Sequence, residues 1–311
     1  MPVSPGVSPH LASVARGLGV DGLTAEVVRA FKRAGVDSIL LKGPAIERLL
    51  YTAEPRAYVD ADLLVPPDAI EQAERLLAAA GFEEGPISRL PELGLPHARP
   101  WIRREDNGTV DLHALIAGVG VGPRKLWDVL SPLTEPFSVA NTECRVLVPH
   151  ALLLVAALHA AQHGDHPKPL DDLRRAVATA SEDEWRKAAE LADRLDAIVN
   201  FTSALRSLPE GAHLADRLGL PSAQLVDASR GADSPTRLAL GFERLAAAGG
   251  WRERLVGVVR EIAPSPEHMR WWSPLARRGR LGLGAAYAWR FIQLVRLTPA
   301  GLVAWRRARG S

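Results

Sequence analysis

The sequence predicts an α+β region over residues 1–148 followed by an all-helical region over 149–311. Three observations point there. Short runs rich in strand formers, at 36–41 and 59–65, alternate with stretches of helical periodicity. Asp106-Asn107-Gly108 separates two strand-like runs and marks a β-hairpin, because Asn-Gly tolerates the positive φ angles such turns require. After Pro149 the pattern is helical to the end, with breaks at 164–169, 231–234 and 264–266.

Taken in order, a first helix is expected over 21–34, where Leu23, Val27, Val28 and Phe31 recur at helical spacing. Asp21 or Thr24 is placed to cap it, and Gly35 ends it. The strand over 36–41 stops at Lys42-Gly43-Pro44, and a helix follows over 44–51 with its proline in the first turn, where a missing N–H is harmless. A strand over 59–65 and a helix over 67–80, closed by Gly81, come next. Strands over 99–104 and 109–116 flank the hairpin turn, and a further strand pair is expected between Pro136 and Val148.

Composition narrows the function classes. With 311 residues, 47% hydrophobic and 24% charged, the chain reads as a soluble globular protein of one large or two modest domains. The 38 basic and 36 acidic residues leave +2, too little for the whole chain to be a nucleic-acid binder. The balance is uneven, since beyond Arg252 the acids are Glu253, Glu261 and Glu267 against a series of arginines. That third either faces RNA, phosphate-rich ligands or an acidic partner, or is a set of solvated helix faces. Cys144 is the one cysteine, which excludes an intramolecular disulfide and a cysteine metal cage and fits a reducing compartment. The first 18 residues lack the apolar core of a signal peptide, and the apolar run at 151–161 is too short to span a bilayer. A cytoplasmic protein is expected, with no membrane partner and no DNA partner.

The chemistry concentrates in Arg56-Ala-Tyr-Val-Asp60-Ala-Asp62-Leu-Leu-Val65. Strand side chains alternate faces, so Asp60 and Asp62 point the same way, roughly 7 Å apart. Two like charges on an apolar strand repel and cost desolvation, which divalent cations between them relieve. Removing the Asp62 charge is therefore expected to stabilise the metal-free protein. Oxygen ligands favour Mg²⁺ or Mn²⁺ over zinc, and paired carboxylates are what two-metal phosphoryl transfer needs. Asp111, in Thr109-Val-Asp-Leu-His113, is the expected third carboxylate, as metal ligand or general base, and His113, which shares its face, is a candidate for the cleft wall or the acceptor. Lys42 and Gly43 form a strand-to-helix turn suited to a phosphate, and Arg56 supplies a second positive charge near it.

This ordered set resembles the polymerase-β-like nucleotidyltransferase superfamily. More closely, it resembles a family of uncharacterised bacterial nucleotidyltransferases with Leu-Lys-Gly, then Arg and Asp-x-Asp-Leu-Leu-Val, then an acid-Leu-His. The matching residues are Leu41-Lys42-Gly43, Arg56, Asp60 to Val65 and Asp111-Leu112-His113, with weaker continuation into His159-Ala-Ala-Gln-His163 and Asp172-Leu173. The resemblance implies a small mixed sheet with flanking helices, two Mg²⁺ (or Mn²⁺) ions, and transfer of a nucleoside monophosphate from an NTP with release of pyrophosphate. One departure is Gly43-Pro44 where many superfamily members have Gly-Ser, which removes a hydroxyl contact to the phosphates.

His159 and His163 are four apart and share a helix face, a spacing that can hold a metal. No glutamate accompanies them in a zinc-protease pattern, so they are expected to line the cleft opposite the carboxylates, contacting phosphate or acceptor. Trp271-Trp272 either stacks a base or packs between C-terminal helices. The acceptor is open: a small molecule, a peptide, a protein or an RNA end. Two other readings compete, a non-catalytic nucleotide- or RNA-binding module retaining the fold, and an RNA binder using the basic C-terminal third.

Overall fold

The structure is a computed structural model, and it describes residues 9–51, 54–85, 98–164 and 166–221, with 266, 269–270, 273, 275–292 and 295 beyond them. Residues 1–87 and 97–220 form one compact unit, so the boundary expected at 148/149 falls inside it.

Helix α1 (Pro9–Arg33) begins well before the expected residue 21. The residues taken as caps are engaged otherwise: Thr24 Oγ1 donates back to the Val20 carbonyl (2.8 Å), and Asp21 accepts from the Tyr58 hydroxyl (2.8 Å). Gly35 leaves the helix at φ 71°. Strand β1 (Ile39–Leu40), helix α2 (Pro44–Leu50), strand β2 (Ala61–Leu64) and helix α3 (Ile70–Ala79) follow, each shorter than expected and β1 most of all in proportion. Next come β3 (Glu83–Glu84), β4 (Ala98–Arg103), β5 (Gly108–His113), α4 (Pro123–Leu130), β6 (Thr134–Val139) and β7 (Thr142–Leu147). Strand β3 and helix α4 were not expected.

The seven strands form one mixed sheet in the order β3-β4-β5-β2-β1-β7-β6, with β2–β5 and β1–β7 parallel and the other neighbours antiparallel. The fold is α+β, a mixed sheet with flanking helices and a helical C-terminal region. At the centre of the sheet Ile39, Leu40, Leu63, Leu64, Val110 and Leu112 are fully buried, each contributing on the order of 1.5–3 kcal/mol. The two hairpins divide their turn chemistry differently from expectation. At β4–β5 only Asn107 takes a positive φ (55°), and Asp106 Oδ1 accepts the Gly108 N–H at 2.9 Å. At β6–β7 a two-residue loop uses positive φ at both Ala140 (43°) and Asn141 (59°), the geometry that matches strand twist.

Helices α5 (Pro149–His163), α6 (Pro167–Thr179), α7 (Glu182–Arg194), α8 (Ile198–Arg206) and α9 (Pro209–Arg217) complete the unit. Helix α5 is apolar on all sides and buried from Ala151 to Leu158, packing against α2, α6, α7 and α8. A helix apolar all round needs a protein or lipid surround. Protein supplies it, and no helix among the described residues is long and apolar enough to cross a membrane.

A second unit comprises 88–96 and 221–311. Its described residues include a helical run over 279–292 and a small core of Met269, Ala276 and Ala286, with Leu283 and Tyr287 packed on it. The breaks expected at 231–234, Pro264 and Ser265, together with Trp271 and Trp272, lie outside the described residues, as does most of the basic C-terminal third.

Candidate active site

The parallel pairing of β2 with β5 sets Asp62 directly beside Asp111, so the two carboxylates leave the same face of the sheet on neighbouring strands. His113 follows Asp111 by two residues and shares that face. Its Nε2 lies 3.0 Å from Asp62 Oδ1, and its Nδ1 lies 3.2 Å from the Leu115 carbonyl oxygen. A carbonyl only accepts, so Nδ1 carries the hydrogen there. Nε2 therefore meets the Asp62 oxygen either as a second N–H or as a lone pair that needs a cation shared with the carboxylate.

Lys42 completes this face. Antiparallel pairing of β1 with β2 continues one step past β1, where the Leu41 N–H donates to the Asp62 carbonyl at 3.0 Å. The next residue then delivers its ammonium to the same carboxylate, with Lys42 Nζ 2.7 Å from Asp62 Oδ1. Gly43 turns the chain at φ 62°, a conformation that favours glycine, with the Tyr58 ring against its face. Asp60 stands one residue before β2 and is partly exposed.

Charge is distributed unequally over the carboxylates. Asp62 is 3% exposed, and burial alone would raise its pKa. Lys42 and His113 outweigh that and hold it well below the usual carboxylate range. Burial opposes the Lys42 charge in turn, but Asp62, with Asp60 and Asp111 behind it, keeps its pKa above the ordinary lysine value. Asp111 is pushed up to about 6 by burial, with His113 pulling down against the added repulsion of Asp62 and Asp60. Burial and the Asp62 charge also raise Asp60. The repulsion expected to destabilise Asp62 is thus outweighed by the Lys42 ammonium and the contact with His113. Removing its charge strips Lys42 of its counter-ion, which reverses the expected sign of the stability change.

The match of a family model to residues 8–210, about two thirds of the chain, is to the family described as uncharacterised nucleotidyltransferase. The chain belongs to that family. Three solved structures are similar to parts of this nucleotidyltransferase. The antibiotic-resistance factor ANT(2'')-Ia is 15% identical, covering 57% of this chain and 94% of its own, with a TM-score of 0.41. The lincosamide antibiotic adenylyltransferase LnuA, solved with lincomycin, is 12% identical over 50% of this chain and 94% of its own, with a TM-score of 0.35. An antigenic nucleotidyltransferase-like protein from Paracoccidioides brasiliensis is 16% identical over 67% and 94%, with a TM-score of 0.37. No curated protein matches by sequence.

Asp62, Asp111 and His113 of the nucleotidyltransferase offer ligand atoms that all lie within 4.8 Å of one another. Two carboxylate oxygens and an imidazole nitrogen are a donor set for a divalent cation; the carboxylates suit a hard ion such as Mg²⁺ or Mn²⁺, and the imidazole favours a transition ion. Asp60 is not among the three, and His113, expected on the cleft wall, takes its place beside the pair.

Arg56 is in a different position from the phosphate contact expected of it. Its Nε donates to Asp172 Oδ1 (2.9 Å) and its terminal nitrogen to Asp172 Oδ2 (2.6 Å), and both side chains are 3% exposed. A guanidinium gripped in this way by a buried carboxylate on α6 faces that helix, not an open cleft.

On the helical side, His159 is partly buried and His163 exposed on the last turns of α5, with ring centroids 4.6 Å apart. Burial pushes His159 down to about 2, with Lys42 and His163 adding repulsion and Asp62 pulling the other way. Burial, Lys42 and His166 lower His163 as well. Both rings therefore lie within the electrostatic reach of Lys42 and Asp62. Lys168, on the first turn of α6, is lowered by burial and Arg56 while Asp60, Asp172 and Asp62 attract it. Sequence reasoning missed it. The available signal was its type, since Lys168 is a lysine in a chain whose basic residues are nearly all arginine, two residues after His166.

Proposed function

We propose that the protein transfers a nucleoside monophosphate from an NTP to an acceptor, releasing pyrophosphate, with Asp62, Asp111 and His113 holding the divalent cation. The observation that carries this is the placement of Asp62 and Asp111 side by side on parallel strands, with His113 against Asp62, in a chain of the nucleotidyltransferase family. A bound cation supplies Lewis acidity toward the phosphates and lowers the pKa of an attacking hydroxyl.

The chain's own residues supply the rest. Lys42, from the turn after β1, and Lys168, from α6, present ammonium groups to the polyphosphate. Gly43 allows the backbone of that turn to approach it. Asp60, partly exposed and raised, stands ready for a second cation or the nucleotide. Asp111 shares the cation with Asp62, and the carboxylate oxygen that it leaves free of the cation takes the acceptor's proton as the acceptor oxygen attacks the α-phosphorus. The bond to the leaving pyrophosphate breaks as the new P–O bond forms. His159 and His163, neutral at physiological pH, line the acceptor side and donate or accept hydrogen bonds without adding charge.

Incubation of NTPs labelled at the α-phosphate with cell extract and Mg²⁺ or Mn²⁺ tests the proposal. Label should move to an extract component with the wild type and not with Asp62→Asn. A wild type that binds no NTP in the presence of Mn²⁺ and transfers no label would overturn it.

A further inference from the structure

The Arg56–Asp172 pair does more than close a gap between distant parts of the chain. Arg56 lies four residues before Asp60, on the segment that enters β2, and its backbone N–H donates to Glu47 Oε1 of α2 at 3.0 Å. Its guanidinium holds both oxygens of Asp172 on α6. Tyr51, at the end of α2, donates its hydroxyl to Asp172 Oδ1 (2.7 Å) and lies 3.2 Å from Asp171 Oδ2. Arg175 in turn pairs with Asp171 and stacks its guanidinium 4.3 Å from the centre of the Tyr51 ring. Three segments are thereby tied at one buried point: α2, whose start carries Lys42 and Gly43; the strand entrance carrying Asp60 and Asp62; and α6. Lys168 precedes Asp172 by four residues, one helical turn, and so leaves the same face of α6.

From this juxtaposition we infer that Asp172 is a positioning residue of the nucleotide site, which through Arg56 locks α6, and Lys168 with it, against the segment bearing Asp60 and Asp62. The inference rests on the proposed function, since it names what holds Lys168 at a fixed separation from the carboxylate wall of that site. A pair needed for folding alone is replaceable by apolar residues of similar volume, because the desolvation of two buried charges cancels much of their attraction. A pair that sets the bearing of Lys168 is not, because apolar packing lacks the fork geometry that fixes the helix rotation.

The full chain is titrated with Mn²⁺ alone and then with Mn²⁺ and α,β-methylene analogues of ATP, GTP, CTP and UTP. The variants are Arg56→Met/Asp172→Leu and the single Arg56→Lys, which keeps the charge and loses the fork. With circular dichroism and Tm close to wild type, both should bind Mn²⁺ alone as the wild type does. Affinity for the nucleotide analogue should fall on the order of tenfold to a hundredfold, the usual cost of losing an outer-shell partner. A folded double variant, or Arg56→Lys, binding the analogue as tightly as wild type would overturn the inference and leave the proposed function standing. A wild type that binds none of the analogues would overturn the proposed function and this inference with it.

Discussion

The two walls of the site are built on opposite electrostatic plans. On the sheet side the most deeply buried carboxylate already has its partners, with Lys42 and His113 sharing one oxygen of Asp62. On the helical side the groups that face the carboxylates are pushed toward neutrality: His159 and His163 are depressed, and Lys168 is lowered. The first wall is arranged around charge that is present in the protein itself. The second presents groups near neutrality, which under the proposed function meet charge that a ligand brings. Substitutions on the sheet side should therefore act on metal and chemistry, and substitutions on the helical side on the ligand's distal groups.

The largest expected effect follows from the sheet side. Asp62→Asn should lower nucleotidyl transfer on the order of a thousandfold, the scale for losing a group that organises transition-state charge. Its Tm should also fall, because Lys42 is left buried beside a neutral amide. Labelled-NTP transfer and thermal melts check both parts, and a more stable variant would break the electrostatic account of this wall. Lys42→Ala should weaken NTP binding by about tenfold to a hundredfold, the range for one charge-assisted contact, in a calorimetric titration with Mn²⁺ present. Unchanged NTP affinity would leave Lys42 as a counter-ion for Asp62 and nothing more.

His159→Ala and His163→Ala test the other wall. Each should reduce transfer to the acceptor by about tenfold, in line with one positioned hydrogen-bonding group, while Mn²⁺ and NTP binding persist. Loss of metal binding instead would assign the pair to the wrong wall. The smallest effect is a pH dependence. Asp111 titrates near 6 in the folded protein, above its unfolded value, so the folded state holds the extra proton between those limits. Metal-free stability should consequently fall as pH rises from about 4 to about 6, and Mn²⁺ affinity should rise through the same window as the carboxylate ionises. Asp111→Asn should flatten the stability slope. An Mn²⁺ affinity that is level from pH 5 to about 7 would separate Asp111 from the metal site.

Much of the sheet wall was legible in the sequence because it is written in local code. Strand alternation puts Asp111 and His113 on one face, and a strand-ending Lys-Gly is visible without knowing the partner strand. What the alternation cannot supply is which strands lie side by side. The β2–β5 register brings His113 to Asp62, a contact between residues 51 apart, and leaves Asp60 outside the ligand group. The helical wall was less legible still. Arg56 and Asp172 are 116 residues apart, and no periodicity announces their contact, so Arg56 read as a phosphate ligand. Short elements also escaped: β3 is two exposed glutamates with no apolar pattern, and α4 spans only eight residues after a glycine-rich stretch. At the start of the chain, Asp21 and Thr24 looked like caps because both types usually are. Each had found a partner that let α1 continue past it.

The single oxygen that Lys42 and His113 share has a consequence for the order of loading. A cation that takes Asp62 Oδ1 must evict an ammonium already resting there at 2.7 Å, so filling the site is an exchange of counter-ions. The evicted Lys42 remains hemmed in by protein and needs another anion. A polyphosphate arriving with the cation is the partner that satisfies it. Metal and nucleotide then raise each other's affinity by the same factor, as thermodynamic reciprocity requires. Under this scheme a divalent ion alone binds more weakly than it does with nucleotide present, and the protein responds most strongly to the two together.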